Sequence, residues 1–254
     1  MSKPGKMRLD QLLVDRGLVE SRARAQGLIM AGNVFSETRR LDKAGQQVAL
    51  DIRIDIKGQD HPWVSRGGLK LLHGLETFHI DPTGLTCLDV GASTGGFSDV
   101  LLTNGAIKVY AVDVGHGQLA WKLRQDERVV VIERFNARNL TTEQISDPID
   151  LIVCDASFIG LQTVLPAPLA LAGPGARLVA LIKPQFEVGK GRVGKGGVVR
   201  EPHLHQEVVD KIRTWLGSLP GWRVIGVTES PIKGPEGNIE FLIGAVFAGA
   251  DAQV

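Results

Sequence analysis

Hydrophobic positions along the chain recur with two different periods, and the change falls near residue 60. Before it, the spacing is that of short helices. In RLDQLLVDRGL, Leu9, Leu12, Leu13 and Leu18 return at near-helical intervals, and Gly17 is placed to stop the helix. Ser21 is a candidate N-cap for SRARAQGLIMAG, whose pattern predicts Ala23, Leu28 and Ile29 facing inward and Arg22 and Arg24 outward. Gly32 and Asn33 predict a turn, and VFSE and QQVALDIRI then read as short strands.

From Thr86 onward, apolar runs alternate with helical stretches. The runs are CLDV, KVYAVDV, VVVIE, LIVCD, RLVALIK, WRVIGVTES and IEFLIGAVF. Between most of them lie GFSDVLLTNG, GQLAWKLRQ, LQTVLPAPLALA and HQEVVDKIRTWLG. This alternation predicts an α/β fold, a mostly parallel sheet covered by helices on both faces. The last two runs are joined by the turn-rich PIKGPEGN and predict an antiparallel hairpin. The expected division is a small α+β unit at 1–60, a linker at 61–66 (HPWVSR) that is flexible until a partner binds, and the larger α/β domain at 67–254. Trp63 is expected to pack the linker, and Trp121 to pack its helix on the sheet.

Composition narrows the class. The 254 residues are 43% hydrophobic and 22% charged, as in ordinary globular proteins. No apolar run approaches the ~20 residues that span a bilayer, and MSKPGKMRLDQLL lacks the apolar centre of an export signal. A cytoplasmic protein without membrane contact is the expectation. Cys87 and Cys154 sit inside apolar runs and read as core fillers; His203 and His205 lack a third ligand, so no metal is expected. The net charge is only +1, yet the first sixty residues hold eleven basic against eight acidic side chains. Local positive charge of this kind suits a polyanion. Arg8, Arg22 and Arg24 in that region, Arg66 at the junction, and Lys190, Arg192 and Lys195 in a glycine-rich stretch are the candidate contacts. GKGRVGK meets part of a phosphate-loop pattern, but Gly196 stands where a magnesium-binding Ser or Thr belongs. It reads as a basic loop instead.

In a doubly wound sheet, ligands bind where the parallel strands end. The first run ends in Asp89, followed by Gly91, Ala92, Ser93, Thr94, Gly95, Gly96 and Phe97, a turn that lets backbone approach a ligand. The second run ends in Asp113 and Val114, and a carboxylate there can accept hydrogen bonds from a ribose diol. Together these predict a nucleoside-containing cofactor, although the glycines do not read G-x-G-x-x-G. Asp155 follows the fourth run and Lys183 the fifth. Lys70 opens a helical stretch, and Glu240 opens the last strand. All four can converge on one rim of the sheet.

These motifs resemble a known family. DVGASTGGF, with Asp113, Asp155, Lys183 and Glu240, is similar to the FtsJ class of S-adenosylmethionine-dependent ribose methyltransferases. The opening RLDQLLVDRGLVESRARAQGLIMAGNV resembles an S4 RNA-binding domain. Followed by SRGGLKL, GHGQLAW, KPQFEVGKG and GGVVREP, it resembles the TlyA family, whose members are often labelled haemolysins. The resemblance implies a Rossmann-like methyltransferase that 2′-O-methylates cytidine in ribosomal RNA of the large, and in some members also the small, subunit. It implies S-adenosyl-L-methionine as cofactor, held by Asp89, residues 91–97, Asp113, Val114 and Asp155. It also implies Lys70, Asp155, Lys183 and Glu240 as the catalytic set. Ribosomal RNA or ribosomal subunits are the expected partners, met by a monomer or weak dimer.

Methyl transfer to a ribose hydroxyl requires alignment and removal of the hydroxyl proton. A protonated lysine cannot accept it, so a base lysine must sit where its neutral form is within reach. On this reading Lys183 is base or relay and Asp155 orients it, while Lys70 and Glu240 position the ribose. Three competing readings are a pore-forming haemolysin, a non-catalytic RNA-binding protein that keeps a cofactor fold, and a methyltransferase acting on a base, against which stands the lack of a Pro-Cys or Asn-Pro-Pro-Tyr signature. The absence of an export signal and of membrane-length segments argues against the first, and the intact four-residue set against the second.

Overall fold

The computed structural model describes residues 5–19, 21–30, 32–56, 61–189, 191–234 and 237–249. Its N-terminal part contains β1 (Lys6–Arg8), α1 (Leu9–Asp15), α2 (Arg22–Met30), β2 (Val34–Ser36), β3 (Arg39–Arg40), β4 (Gln47–Ala49) and β5 (Asp55–Ile56). β1 pairs with β4, and β2 lies between β3 and β5, all antiparallel. Leu9, Leu12, Leu13, Ala25, Ile29 and Val34 close a small core of their own. Gly17 takes φ +65° just beyond α1, and Ser21 Oγ accepts the Arg24 N–H at 3.2 Å, so the expected stop and cap are both present. The inward face of α2 differs from expectation: Ala25 is buried with Ile29, whereas Ala23 is exposed. Ala25 and Ile29 are one turn apart and so share a face.

The larger part contains α3 (Gly67–Thr77), β6 (Thr86–Val90), α4 (Gly96–Thr103), β7 (Lys108–Val112), α5 (Trp121–Arg124), β8 (Val129–Ile132) and β9 (Ile149–Cys154). It continues through α6 (Leu161–Val164), α7 (Pro166–Leu169), β10 (Ala172–Ile182), α8 (Pro184–Glu187), α9 (Pro202–Gly217), β11 (Trp222–Glu229) and β12 (Phe241–Phe247). These strands form one seven-stranded sheet in the order β11-β12-β10-β9-β6-β7-β8. β8, β7, β6, β9 and β10 are parallel, and β12 runs antiparallel to both β10 and β11. Two hydrophobic layers enclose the sheet. One includes Leu71, Leu75, Phe97, Val100 and Leu101 from α3 and α4; the other includes Leu161, Leu165, Leu204, Val208 and Ile212 from α6 to α9. The strand order reverses between β6 and β9, so a crevice opens at their carboxyl ends.

Three expectations for the linker and the larger part also change. GQLAWKLRQ yields a single helical turn, and Trp121 is 59% exposed instead of packing on the sheet; Leu119, Ala120 and Leu123 make that contact. LQTVLPAPLALA is split into α6 and α7 at Pro166, which cannot donate to a continuing helix. The 61–66 linker is docked, not loose. Trp63 is buried against Gly68, where a Cβ would come within 2.5 Å of the indole, and the Val64 N–H donates to Asp99 Oδ2 at 2.8 Å. Asp99 also meets Lys122 Nζ at 2.8 Å, so one carboxylate of α4 ties down both the linker and α5. Among the described residues no helix is long and apolar enough to cross a membrane.

Candidate active site

The register of two strands brings the first charged pair together. Ile182 of β10 lies opposite Phe241 of β12, so Lys183 and Glu240 leave the sheet side by side. Lys70 reaches the same place from the first turn of α3, whose Gly74 lies against Val179 and Leu242. Asp155 follows β9 directly, its N–H bonded to the Val90 carbonyl at 3.0 Å.

The four side chains form a connected row. Lys70 Nζ donates to Glu240 Oε2 at 2.6 Å and stands 4.0 Å from Asp155 Oδ2. Lys183 Nζ makes an ion contact of 2.6 Å with Asp155 Oδ1. Its hydrogen bonds go to Ser157 Oγ at 2.9 Å and to the Asp155 carbonyl at 3.1 Å. Lys70 and Lys183 are 6% and 5% exposed and Glu240 is fully enclosed, while Asp155 keeps part of its surface open to solvent. Charges this deeply buried persist only when paired, and here each amine faces a carboxylate. The row can hold a hydroxyl and carry a proton between amine, carboxylate and water.

Beside the row lies a cleft of about 270 Å³ lined by Ser65, Arg66, Gly67, Lys70, Gly91, Ala92, Ser93, Thr94, Gly96, Phe97, Asp155, Ser157 and Lys183. Gly91 has φ +84°, and a Cβ there would fall 2.9 Å from the Ala156 backbone, so only glycine fits the turn. Gly96 must also lack a side chain, because Ser65 Oγ and the Gly68 amide occupy the space. The linker thereby forms one wall of the cleft.

The candidate cofactor residues separate by position. Gly91, Ala92, Ser93, Thr94, Gly96, Phe97 and Asp155 line the cleft, and Gly95 turns beneath it against Leu119 and Leu123. Asp113 stands at the rim, where its carboxylate accepts the Ser93 N–H at 2.8 Å and the Gly115 N–H at 2.6 Å. Val114 is 71% exposed and outside the lining. Asp89 is fully buried below the loop. Its Oδ2 accepts the Ser98 N–H at 3.0 Å and the Ser98 hydroxyl at 2.7 Å, so it braces α4 and does not face the cleft.

The candidate RNA contacts separate too. Arg8 donates to both Asp10 oxygens, at 3.0 and 2.9 Å, and Arg22 to Asp10 Oδ2 at 2.9 Å. The Arg8 guanidinium, helped by Gln26 and Arg22, holds the Asp10 carboxyl well below the usual carboxylate range. Arg192 is engaged by Glu207 at 2.5 and 2.6 Å. Arg24 and Lys195 are exposed, Arg66 lies at the mouth of the cleft, and Lys190 lies outside the described residues. Cys154 is a core filler, its thiol pushed up to about 12 by burial; His205 is buried and bonds the Val199 carbonyl at 2.9 Å. Among the described residues no cluster of metal-ligating side chains occurs.

Sequence reasoning missed Ser157, Ser65 and Phe158. Phe158 is 90% exposed beside Ser157, with φ +64°, a conformation an aromatic residue rarely adopts. Its ring lies 5.1 Å from that of Phe186. Nothing periodic marks these positions; only closeness to Asp155 in the sequence for Ser157 and Phe158, and to the Gly67–Gly68 pair for Ser65, could have drawn attention to them.

Strand order and glycine turn together define a doubly wound α/β protein with a ligand crevice at its switch point. The chain belongs to the FtsJ-like methyltransferase family, whose model matches residues 63–247, and an S4 domain model matches residues 7–51. A Mycobacterium tuberculosis relative, named 16S/23S rRNA (cytidine-2′-O)-methyltransferase TlyA, is 49% identical over 237 residues, covering 93% of this chain and 88% of its own. Hemolysin A of Brachyspira hyodysenteriae is 42% identical over 237 residues, 93% of this chain and 98% of its own. A solved structure from Streptococcus thermophilus that carries a hemolysin name superposes with a TM-score of 0.75 at 40% identity, covering 98% of this chain and 90% of that one. Another from Lactococcus lactis gives 0.71 at 48% identity, over 74% and 89%.

Proposed function

We propose that the protein transfers a methyl group from S-adenosylmethionine to the 2′-hydroxyl of a cytidine in ribosomal RNA. The observation that carries this reading is the buried row Glu240–Lys70–Asp155–Lys183 beside a cleft whose glycines leave room for a ligand backbone. The names of the relatives point to the same substrate.

The donor fits the residues present. Gly91, Ala92, Ser93, Thr94, Gly96 and Phe97 would hold it, and the Asp113 carboxylate, bonded to the Ser93 and Gly115 amides, would accept hydrogen bonds from its ribose. When bound, it would supply an electrophilic methyl carbon on a sulfonium, which leaves as a neutral thioether. The chain's own task is alignment and proton removal. Lys70, fixed by Glu240, holds the acceptor sugar. Lys183 and Asp155, in ion contact at 2.6 Å, relay the hydroxyl proton between them, and Asp155, which faces both lysines and solvent, passes it onward. Exposed Arg24, Lys195 and Arg66 engage phosphates, and the Phe158 ring offers a surface on which a base can stack.

Transfer of label from S-adenosylmethionine to ribosomal RNA, followed by mapping of the modified sugar, tests the function. Lys183→Ala is expected to lower turnover by about 10²–10⁴-fold while donor affinity stays near wild type. Turnover close to wild type would remove Lys183 from this role.

A further inference from the structure

One buried amide joins the basic loop to the catalytic row. Asn238 is 2% exposed. Its Nδ2 donates to the Gly197 carbonyl at 2.9 Å, and its Oδ1 accepts the Val199 N–H at 3.0 Å. The side chain thus makes the two-point pairing that a neighbouring strand would make, across some forty residues of sequence. Val199 is gripped from its other side, where its carbonyl meets His205 of α9.

Two residues after Asn238 comes Glu240. The Asn238 carbonyl accepts the Gly234 N–H at 2.9 Å, and the Ser230 N–H donates to the Glu240 carbonyl, also at 2.9 Å. Gly234 lies so close to Glu240 Oε1 that any Cβ would overlap it, and Oε2 carries Lys70. Loop, turn, carboxylate and amine are therefore one bonded chain. At its outer end stands Lys195, exposed, while Arg192 is already held by Glu207.

We propose that Asn238 is a positioning residue that couples RNA engagement by the 191–200 loop to the placement of Glu240 and, through it, Lys70. This rests on the reading of the site given above. An amide suits the position because it donates and accepts at once. A hydrophobic residue would seal the interior but leave the Val199 N–H and Gly197 carbonyl unpaired, and a push on the loop would no longer reach the row.

The test is a double-mutant cycle on methyl transfer to ribosomal RNA, using wild type, Asn238→Ala, Lys195→Ala and the pair. S-adenosylmethionine affinity and Tm are measured alongside. Asn238→Ala is expected to lower kcat by about tenfold with donor Kd within about twofold of wild type. The effect of Lys195→Ala on kcat should then shrink by about threefold or more in the Asn238→Ala background. If Asn238→Ala does not fold, Asn238→Asp runs the same cycle, since it keeps the acceptor for Val199 and loses the donor to Gly197. Effects that simply multiply, with donor affinity and Tm falling together, give Asn238 a structural role only and overturn the coupling. A wild-type protein that methylates no ribosomal RNA removes the functional reading and the coupling with it; an active wild type with multiplying effects removes the coupling alone.

Discussion

Asp89 stands where a carboxylate is costly: it is wholly enclosed, and burial pushes its pKa up to about 7, partly countered by the Ser98 hydrogen bonds. An unfolded aspartate titrates near ~3.9, so between about pH 4 and 7 the folded protein holds a proton that the unfolded chain has lost. The contribution of Asp89 to stability therefore falls as pH rises through that window and is constant above it. Asp89→Asn keeps an oxygen for both Ser98 bonds, and is expected to flatten the slope and raise Tm at pH 8 by several degrees. Thermal melts from pH 4 to 8 that run parallel to wild type would refute this. At this scale the sequence was partly legible. A carboxylate ending a strand before a glycine turn reads as a ligand contact, but whether it looks up into the cleft or down to Ser98 depends on strand pleat and helix docking. Ser157 and Phe158 were invisible for the same reason, because their roles come from where Lys183 and the cleft mouth lie in space.

At the level of elements, α2 shows how a basic pattern differs from a basic surface. Its arginines follow one another closely in sequence, yet Arg22 is drawn onto the buried Asp10 together with Arg8, while Arg24 is exposed. Each cation that neutralises a phosphate steepens the salt dependence of binding by about one unit in the log–log slope. Arg24→Ala is expected to reduce that slope by about one, and Arg22→Ala by less, since part of its charge is already answered. Equal slopes for all three proteins, measured by RNA titration between low and moderate salt, would remove α2 from the interface. Helices α1, α4 and α9 and all seven strands of the large sheet were readable from periodicity, because each buries one face or lies wholly inside. The turn around Trp121 was not. Its apolar content predicted packing that smaller neighbours supply, and the indole was left in solvent.

For the whole molecule, the linker is the decisive feature. Trp63 seated on Gly68, Val64 on Asp99 and Ser65 against Gly96 make it a wall of the cleft beside the charged row. A methyl group added at Gly68 must displace the indole, and overpacking of this kind costs about 1–3 kcal/mol. Gly68→Ala is accordingly expected to lower Tm by several degrees and to weaken donor binding, as read by calorimetry; unchanged donor affinity would separate the linker from the cleft. The amino-acid pattern alone determined that a short helical and stranded unit precedes a doubly wound sheet, that the last strand turns back antiparallel, and that glycines and charges gather where parallel strands end. Those features follow from neighbours within a few residues, since side-chain period and turn chemistry are local properties. Only the tertiary structure decided that Lys70 takes Glu240 while Lys183 takes Asp155, that Asp10 claims two arginines, and that Asn238 spans to the basic loop. Each of these joins groups far apart in the chain, and a charge or amide chooses its partner by distance and burial, which no local spacing records.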